Sequence, residues 1–453
     1  MRGCSHSKVK GCFCCIIFTT VLFIMIISRV RIQFRQYWCD WPDTVESRRR
    51  EEFCFYMESY FEDVCRCDDP VSINIIPKPL FHNQLQSTPV AIVATDRAQS
   101  LYRTLHALLS APGANPSLIT VFLDGVYSGP IFVAQLFNIR VESHTMDLAS
   151  PSDLHDAPEQ KRRKLLKERI DQHYKFCLDR IFELFPTANQ AIILEDDLQV
   201  SPDFFSYFNQ TSHLLHEDES LYCISAWNDF SYKHSSRDPT LLYRVDTMPG
   251  LGWMLTRNLY EELRPKWLKS SEPLTWDGWL REPAQRKGRE CIMPDVCRTF
   301  HFTTGVHISE YQQHRHFDTH SFNDERSLHL FHTEDLTKDA YEEVMNALVK
   351  QATPVNHNLS ICDKSLIPNA EDQTYVIYIE GDTTLINLMR CLKLWDVDIR
   401  PGHKNSWRFW RGSSHVVIVQ CPESIYCKYK SASLPLMKYV PPTKRPRNRR
   451  VPR

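Results

Sequence analysis

The chain has 453 residues, 42% hydrophobic and 24% charged, which suits roughly three globular units and excludes a disordered or collagenous chain. Lys and Arg number 54 and Asp and Glu 55, so the net charge is −1, and a general nucleic-acid binder, which needs a basic field, is excluded. Sixteen Cys are too few for a disulfide miniprotein of this length but enough for several bridges in an oxidising compartment.

The uncharged, mostly apolar run 11–27 sits at the short end of what spans a bilayer, between Arg2, Lys8 and Lys10 on one side and Arg29, Arg31 and Arg35 on the other. These flanks are too balanced to fix its orientation. No small-residue cleavage site follows, so a retained anchor is expected rather than a cleaved signal peptide. Cys39, Cys54, Cys65 and Cys67 lie in a polar stretch without the His or regular Cys spacing of a zinc site, and disulfides are expected there. If the bulk of the chain is lumenal, Asn209-Gln210-Thr211 and Asn358-Leu359-Ser360 are glycosylation sequons.

From Pro89 the pattern becomes that of an α/β protein. Residues 90–95 (VAIVAT) read as a buried strand, followed by a helix carrying Leu101, Leu105, Leu108 and Leu109 on one face. Residues 118–123 and 139–142 read as further strands, 161–185 as a long helix stopped by Pro186, and 191–194 as a strand ending in Glu195-Asp196-Asp197. Strands alternating with helices predict a parallel sheet. A second compact region starts near Gln373, with strands at 375–380 and 414–420 around a helix at 384–394. The tail from Pro441 is rich in Arg and Pro.

In open α/β sheets ligands lie at the carboxyl ends of strands. Three adjacent carboxylates there repel one another unless a cation joins them, and a hard divalent ion shared with a diphosphate fits that need. Asp96, Arg97 and Asp124 end neighbouring strands on the same edge; Arg97 suits a phosphate and Asp124 a nucleobase or ribose. In Trp276-Asp277-Gly278-Trp279 a carboxylate stands between indoles, where desolvation is expected to raise its pKa toward that of a general base. The glycines around Leu251 suit a tight turn against a ligand. His301, His307, His314, His316 and His320 are spaced too irregularly for a metal cage and read as core or solvated residues. No GxGxxG, GK[ST] or G-x-S-x-G motif is present, which argues against a dinucleotide oxidoreductase, a P-loop NTPase and a serine hydrolase.

The segments LEDD, SPDFFSYF, LYCISAWND, LLYRVDTMPGLGWML and WDGWLREPAQRKGRECIMPDVCRTFHF together resemble the β-1,2-N-acetylglucosaminyltransferases. EFCFYMESYFEDVCRCDDPVSI upstream, and TYVIYIEGD, CLKLWDVDIR and WRFWR downstream, bring the resemblance closer to the branch acting on O-linked mannose than to the N-glycan branch. It covers roughly residues 46–435. The resemblance implies a GT-A (Rossmann-like) fold, UDP-GlcNAc as donor, Mn²⁺, inversion at the anomeric carbon and a mannose-terminated glycoprotein as acceptor. It also implies a type II Golgi membrane protein with its catalytic part lumenal. The expected organisation is a tail at 1–10, an anchor at 11–27, a Cys-containing stem at 28–87, the catalytic domain at 88–345, a small α+β domain at 346–435 and a basic tail at 436–453. Carried over residue by residue, Asp197 is the metal ligand, Glu195 and Asp196 contact the donor, and Arg97, Asp124 and His173 hold uridine and phosphates. Asp277 is the catalytic base, Trp276 and Leu251 lie near the transferred sugar, and Cys223 pairs with Cys291. Thr95 and Gly125 replace a cysteine pair of the N-glycan enzyme, and the loop FHFTTGVHISEY, with His307 near a phosphate-contacting position, departs from the family.

Overall fold

A computed structural model of the chain describes residues 39–145, 158–269, 273–305 and 308–441. The expected anchor and His307 lie outside the described residues. Among the described residues no helix is long and apolar enough to cross a membrane. Two compact units are present, one ending at Asn74 and one running from Ile75.

The first unit is built on helix α1 (Val45–Met57). Thr44 caps it, its Oγ1 accepting from Ser47 N at 3.1 Å. Phe53 and Met57 face inward. Arg50, also buried, donates to the carbonyls of Val64 and Val71 at 2.8 Å each. So small a core needs staples, and the disulfides Cys39–Cys67 and Cys54–Cys65 supply them.

The second unit opens with strand β1 (Val90–Ala94), helix α2 (Ala98–Ser110), strand β2 (Ile119–Leu123), helix α3 (Ser128–Leu136) and strand β3 (Arg140–Ser143). The 26-residue helix α4 (Glu159–Leu184) leads into β4 (Gln190–Glu195) and β5 (Leu198–Val200). Then come α5 (Phe204–Thr211), β6 (Leu221–Ser225), β7 (Leu242–Val245), β8 (Trp253–Thr256), α6 (Arg257–Leu263), α7 (Trp276–Arg281), β9 (Glu290–Pro294), β10 (Thr299–His301) and α8 (Glu310–Arg315).

The main sheet has eight strands in the order β3-β2-β1-β4-β8-β6-β9-β7. Its first half is parallel, as the alternating pattern predicts. Its second half is not: β8 runs antiparallel to both β4 and β6, and β7 antiparallel to β9, so the sheet is mixed. Within it β6 and β9 still pair in parallel, with α6 and α7 lying between them in the chain. Both faces of β1, β2 and β4 are covered, which explains their unbroken apolar runs. On one face Ala91, Phe122, Ile193 and Trp253 pack with Tyr174, Cys177, Leu178 and Ile181 of α4. The larger aliphatic and Phe side chains here, Phe122, Ile193, Leu178 and Ile181, each contribute about 1.5–3 kcal/mol by leaving water. Cys223 and Cys291, paired residues of β6 and β9, form the disulfide the resemblance implies.

A four-stranded sheet, β11-β12-β14-β13, closes the unit: β11 is Thr353–Pro354, β12 Thr374–Ile379, β13 Ser406–Arg411 and β14 Ser414–Gln420. Helices α9 (Lys338–Gln351) and α10 (Asp382–Leu392) accompany it. The two sequons differ in setting. Asn209 lies in α5, where its side chain accepts from Gln84 N at 2.6 Å and donates to His82 O at 3.3 Å, while Thr211 is buried. Asn358 is exposed in a turn.

Candidate active site

The register of β1 against β2 and β4 brings the carboxyl ends of all three strands to one edge, so Arg97, Asp124 and the triplet Glu195-Asp196-Asp197 are neighbours. Arg97 Nη2 donates to Asp196 Oδ1 and, at 3.0 Å, to Asp197 Oδ2. Thr95 N donates to Asp196 Oδ2 at 3.0 Å, which fills both oxygens of that carboxylate. Glu195 Oε1 accepts from Tyr174 OH at 3.1 Å. Burial, followed by the charge of Asp197, raises the pKa values of Glu195 and Asp196. Asp197 is itself buried, yet His301 and Arg97 hold it below the usual range. Burial pulls His301 down, but hydrogen bonding and attraction to Asp197 outweigh it and leave the imidazole above its usual value. One oxygen of this cluster, Asp197 Oδ1, is buried without a partner.

Beside it lies a second set of groups. Asp124 accepts from Arg169 Nε at 2.7 Å through Oδ2, and its carbonyl accepts from Arg169 Nη2 at 2.8 Å. Burial nonetheless leaves the Asp124 carboxyl raised. His173, one turn beyond Arg169 on α4, donates from Nε2 to Phe122 O at 3.1 Å. Burial pushes it down to about 3, so it is neutral at physiological pH. Asp124 Oδ1 and His173 Nδ1 are both buried acceptors without a partner.

The third set is reached through stacked rings. Tyr174, which holds Glu195, stacks on Trp276 at 3.5 Å, and Trp276 stacks on Trp253 at 6.3 Å. Asp171 Oδ1 accepts from Trp276 N at 2.7 Å and fixes the start of α7. Asp277 follows. Its Oδ1 accepts from Thr275 Oγ1 and its Oδ2 from Arg281 Nη1 at 2.7 Å. The expectation that desolvation raises the Asp277 pKa is therefore corrected. Burial does push it up, but the Arg281 charge and the hydrogen bonds from Thr275 and Arg281 outweigh it and hold the carboxyl below its usual range. Arg281 also donates from Nε to Met248 O at 2.9 Å, and Asp398 stands 3.9 Å from it. Arg400 in turn holds Asp229 through Nε at 2.8 Å.

Leu251 has a φ of 49° between Gly250 and Gly252, both also left-handed. The turn at Gly252 is tight against protein: a Cβ there would stand 2.7 Å from Thr299 Cγ2. Gly250 is open, with Arg281 3.9 Å from the equivalent position.

The residues read from the sequence thus group as Arg97, Glu195, Asp196 and Asp197; Asp124 and His173; and Trp276, Asp277 and Leu251. Of the histidine stretch, His301, His316 and His320 are buried and His314 is exposed. Among the described residues no group of three or more His, Cys, Asp or Glu is arranged to hold a metal ion. Arg169, Tyr174 and Arg281 escaped the sequence reading, and His301 was read there only as a core or solvated residue. The helical spacing of Arg169 before His173, and of Arg281 after Asp277, was the available signal for two of them.

A model of the GNT-I family matches residues 64–385. The chain belongs to the GNT-I family. Within that span lie all the described candidate residues. An Arabidopsis thaliana protein named alpha-1,3-mannosyl-glycoprotein 2-beta-N-acetylglucosaminyltransferase is 32% identical over 278 residues, 60% of this chain and 60% of that protein. The chain spans about 60% of that relative's length. Among solved structures, the mannosyltransferase PcManGT from Pyrobaculum calidifontis, in complex with GDP-Man and Mn²⁺, has a TM-score of 0.32 at 10% identity, covering 61% of this chain and 71% of its own. GalNAc-T7 with UDP, GalNAc and Mn²⁺ has a TM-score of 0.33 at 11% identity, covering 55% of this chain and 52% of its own.

Proposed function

We propose that this chain is an inverting, Mn²⁺-dependent glycosyltransferase of the GT-A type that moves GlcNAc from UDP-GlcNAc to O2 of a terminal α-mannose. The observation that carries the proposal is the pairing of two unlike carboxylate sites, Asp197 with a free buried oxygen and Asp277 held ionised, joined by Tyr174 and Trp276 in a GNT-I chain. The residues fit a divalent ion: Asp197 Oδ1 is an unused acceptor in a cluster short of positive charge. Asp197 would hold that ion, which when bound offsets charge on the departing diphosphate. Asp124 Oδ1 and His173 Nδ1 suit the hydroxyl and N–H donors of a uridine. Arg97 serves the phosphates, and Glu195 with Asp196 lines the donor side. Trp276 and Leu251 border the transferred sugar.

In the reaction the mannose O2 attacks the anomeric carbon of GlcNAc from the face opposite UDP. The bond from that carbon to the phosphate oxygen breaks, and UDP leaves with the electron pair. The hydroxyl proton passes to the Asp277 carboxylate. One base suffices because direct displacement with inversion has no covalent intermediate, as in inverting glycosidases.

For the acceptor, the sequence motifs on both sides of the catalytic region favour an O-mannosyl glycoprotein. The Arabidopsis relative favours the mannose arm of an N-glycan. Transfer by the full chain, with UDP-GlcNAc and Mn²⁺, to an O-mannosyl peptide and separately to a high-mannose N-glycan tests both. Product on the peptide alone supports the first and product on the N-glycan alone the second. No product on either, from folded protein, leaves a silent glycan-binding homologue. The Golgi, type II placement through residues 11–27 is proposed with it. Expressed through a secretory pathway, the chain should carry a glycan at exposed Asn358 and none at Asn209, whose amide is already engaged. An unglycosylated Asn358 would count against lumenal placement.

A further inference from the structure

We propose that the cavity between α4 and the segment following α6 is a subsite for a neutral pyranose, the sugar next to the reactive mannose in an acceptor glycan; this rests on the reading of Asp277 as the base given above. The cavity measures about 280 Å³ and is walled by Glu168, Asp171, Gln172 and Lys175 of α4 and, opposite them in sequence, by Trp267, Leu268 and Lys269. The spacing i, i+3, i+4, i+7 puts the four α4 residues on one face of the helix.

That face lies beside the reaction. Neighbouring residues on α4, Arg169 and His173, reach the strand edge at Asp124 and Phe122. Asp171 Oδ1 accepts from Trp276 N, one residue before Asp277. Burial raises the Asp171 carboxyl, the Lys167 hydrogen bond opposes it, and the charge of Asp277 adds to the rise, so the base and the cavity wall are electrostatic neighbours.

The lining selects the guest. Two carboxylates and two ammonium groups cancel, so the local field draws in neither a phosphate nor a metal ion. Asp171 is already supplied, its Oδ2 accepting from Lys167 Nζ at 2.7 Å and its carbonyl from Trp267 Nε1 at 3.2 Å. Glu168 is supplied less well, with Lys164 Nζ 3.9 Å away. Lys175 gives one hydrogen to Asp179 Oδ2 at 2.6 Å and has two more to give. Glu168 and Lys175 thus set an acceptor and a donor roughly 10 Å apart along α4, beside the apolar wall of Trp267 and Leu268. A sugar ring suits that set, because its hydroxyls both donate and accept while its carbons bear on the apolar wall. A peptide is served less well: the walls are a helix and a loop, with no strand edge for its backbone to join. The volume takes one ring rather than a run of them.

The test is transfer by the full chain, with UDP-GlcNAc and Mn²⁺, to methyl α-mannoside, to a methyl mannobioside whose non-reducing mannose is free at O2, and to α-mannosyl threonine. The wild type should use the mannobioside with a KM about 10-fold below that for methyl α-mannoside, and treat α-mannosyl threonine like the methyl glycoside. In Glu168→Ala and in Lys175→Met the advantage of the mannobioside should fall to near parity, with melting temperatures showing that both fold. A mannobioside used no better than methyl α-mannoside by the wild type would overturn the subsite and leave the Asp277 reading standing. An advantage that persists in both folded variants would also overturn it. So would a preference for α-mannosyl threonine that Glu168→Ala abolishes, which would make the cavity a peptide site. No transfer to any of these acceptors would overturn the Asp277 reading together with this one.

Discussion

The end of β4 and the start of α7 handle carboxylates in opposite ways. At β4 three acidic side chains share few cations: Arg97 serves Asp196 and Asp197, His301 stands 3.5 Å from Asp197, Glu195 has only the neutral hydroxyl of Tyr174, and one Asp197 oxygen has no partner. At α7 a single carboxylate is fully supplied, by Arg281 and Thr275. The first site is short of positive charge and is completed by something that brings it. The second keeps its carboxylate ionised and so ready to accept a proton. Burial acts in the same direction at both; the local count of donors decides the outcome.

The largest expected effect separates the two sites directly. Asp277→Asn should lower kcat by on the order of 10²–10⁴ while UDP binding, measured calorimetrically, stays near wild type. Substantial residual turnover would remove Asp277 from the role of base. A third carboxylate extends the comparison to its fully supplied extreme. Glu290 is buried, which disfavours its charge, but His403 and fully buried Arg244, whose Nε is 2.6 Å away, hold it at about 2. Glu290→Gln leaves Arg244 with Asp218 as its one carboxylate partner and should cost about 1–3 kcal/mol in denaturant unfolding at pH 7. Because its folded value is depressed, Glu290 contributes stability above its ordinary value of about 4.3, lost as pH falls toward about 2. The variant's stability should change less over that window than the wild type's.

Asp197→Ala should weaken Mn²⁺-dependent UDP binding on the order of 100-fold while leaving metal-independent UDP binding in place. An unchanged Mn²⁺ dependence would show that the β4 cluster needs no ion. The smallest effect concerns Arg281. With the wild-type Asp277 value depressed, kcat/KM should show no acid limb from this group above about pH 4. Arg281→Gln removes the opposing charge, burial then prevails, and the limb should move upward in pH. A limb that stays in place would mean that ion pairing is not what distinguishes α7 from β4.

The parts of this molecule that were legible in the sequence are those ruled by local pattern. The apolar runs of β1, β2 and β4 have their punctuation within a few residues, and each ends in the polar residues that form the site. A parallel sheet was expected throughout because alternation of helix and strand was visible only in the first half. The antiparallel entry of β8 between β4 and β6 depends on pairing between distant segments, which no local signal encodes. The supply of charge was hidden for the same reason. Asp277 looked like a base raised by its indoles because the sequence shows neighbours along the chain; Arg281 cancels that effect only after a helical turn brings it back.

By itself, then, the sequence determined which strands are buried, where their acidic ends fall, and which motifs place the chain among its relatives. Only the tertiary structure decided which carboxylates find cations and which remain in want of one. Burial and hydrophobic periodicity are properties of a segment. A pKa, a tautomer or an unpaired oxygen is set by groups within a few ångströms, and Asp197 and His301 meet only when β10 pairs with β5.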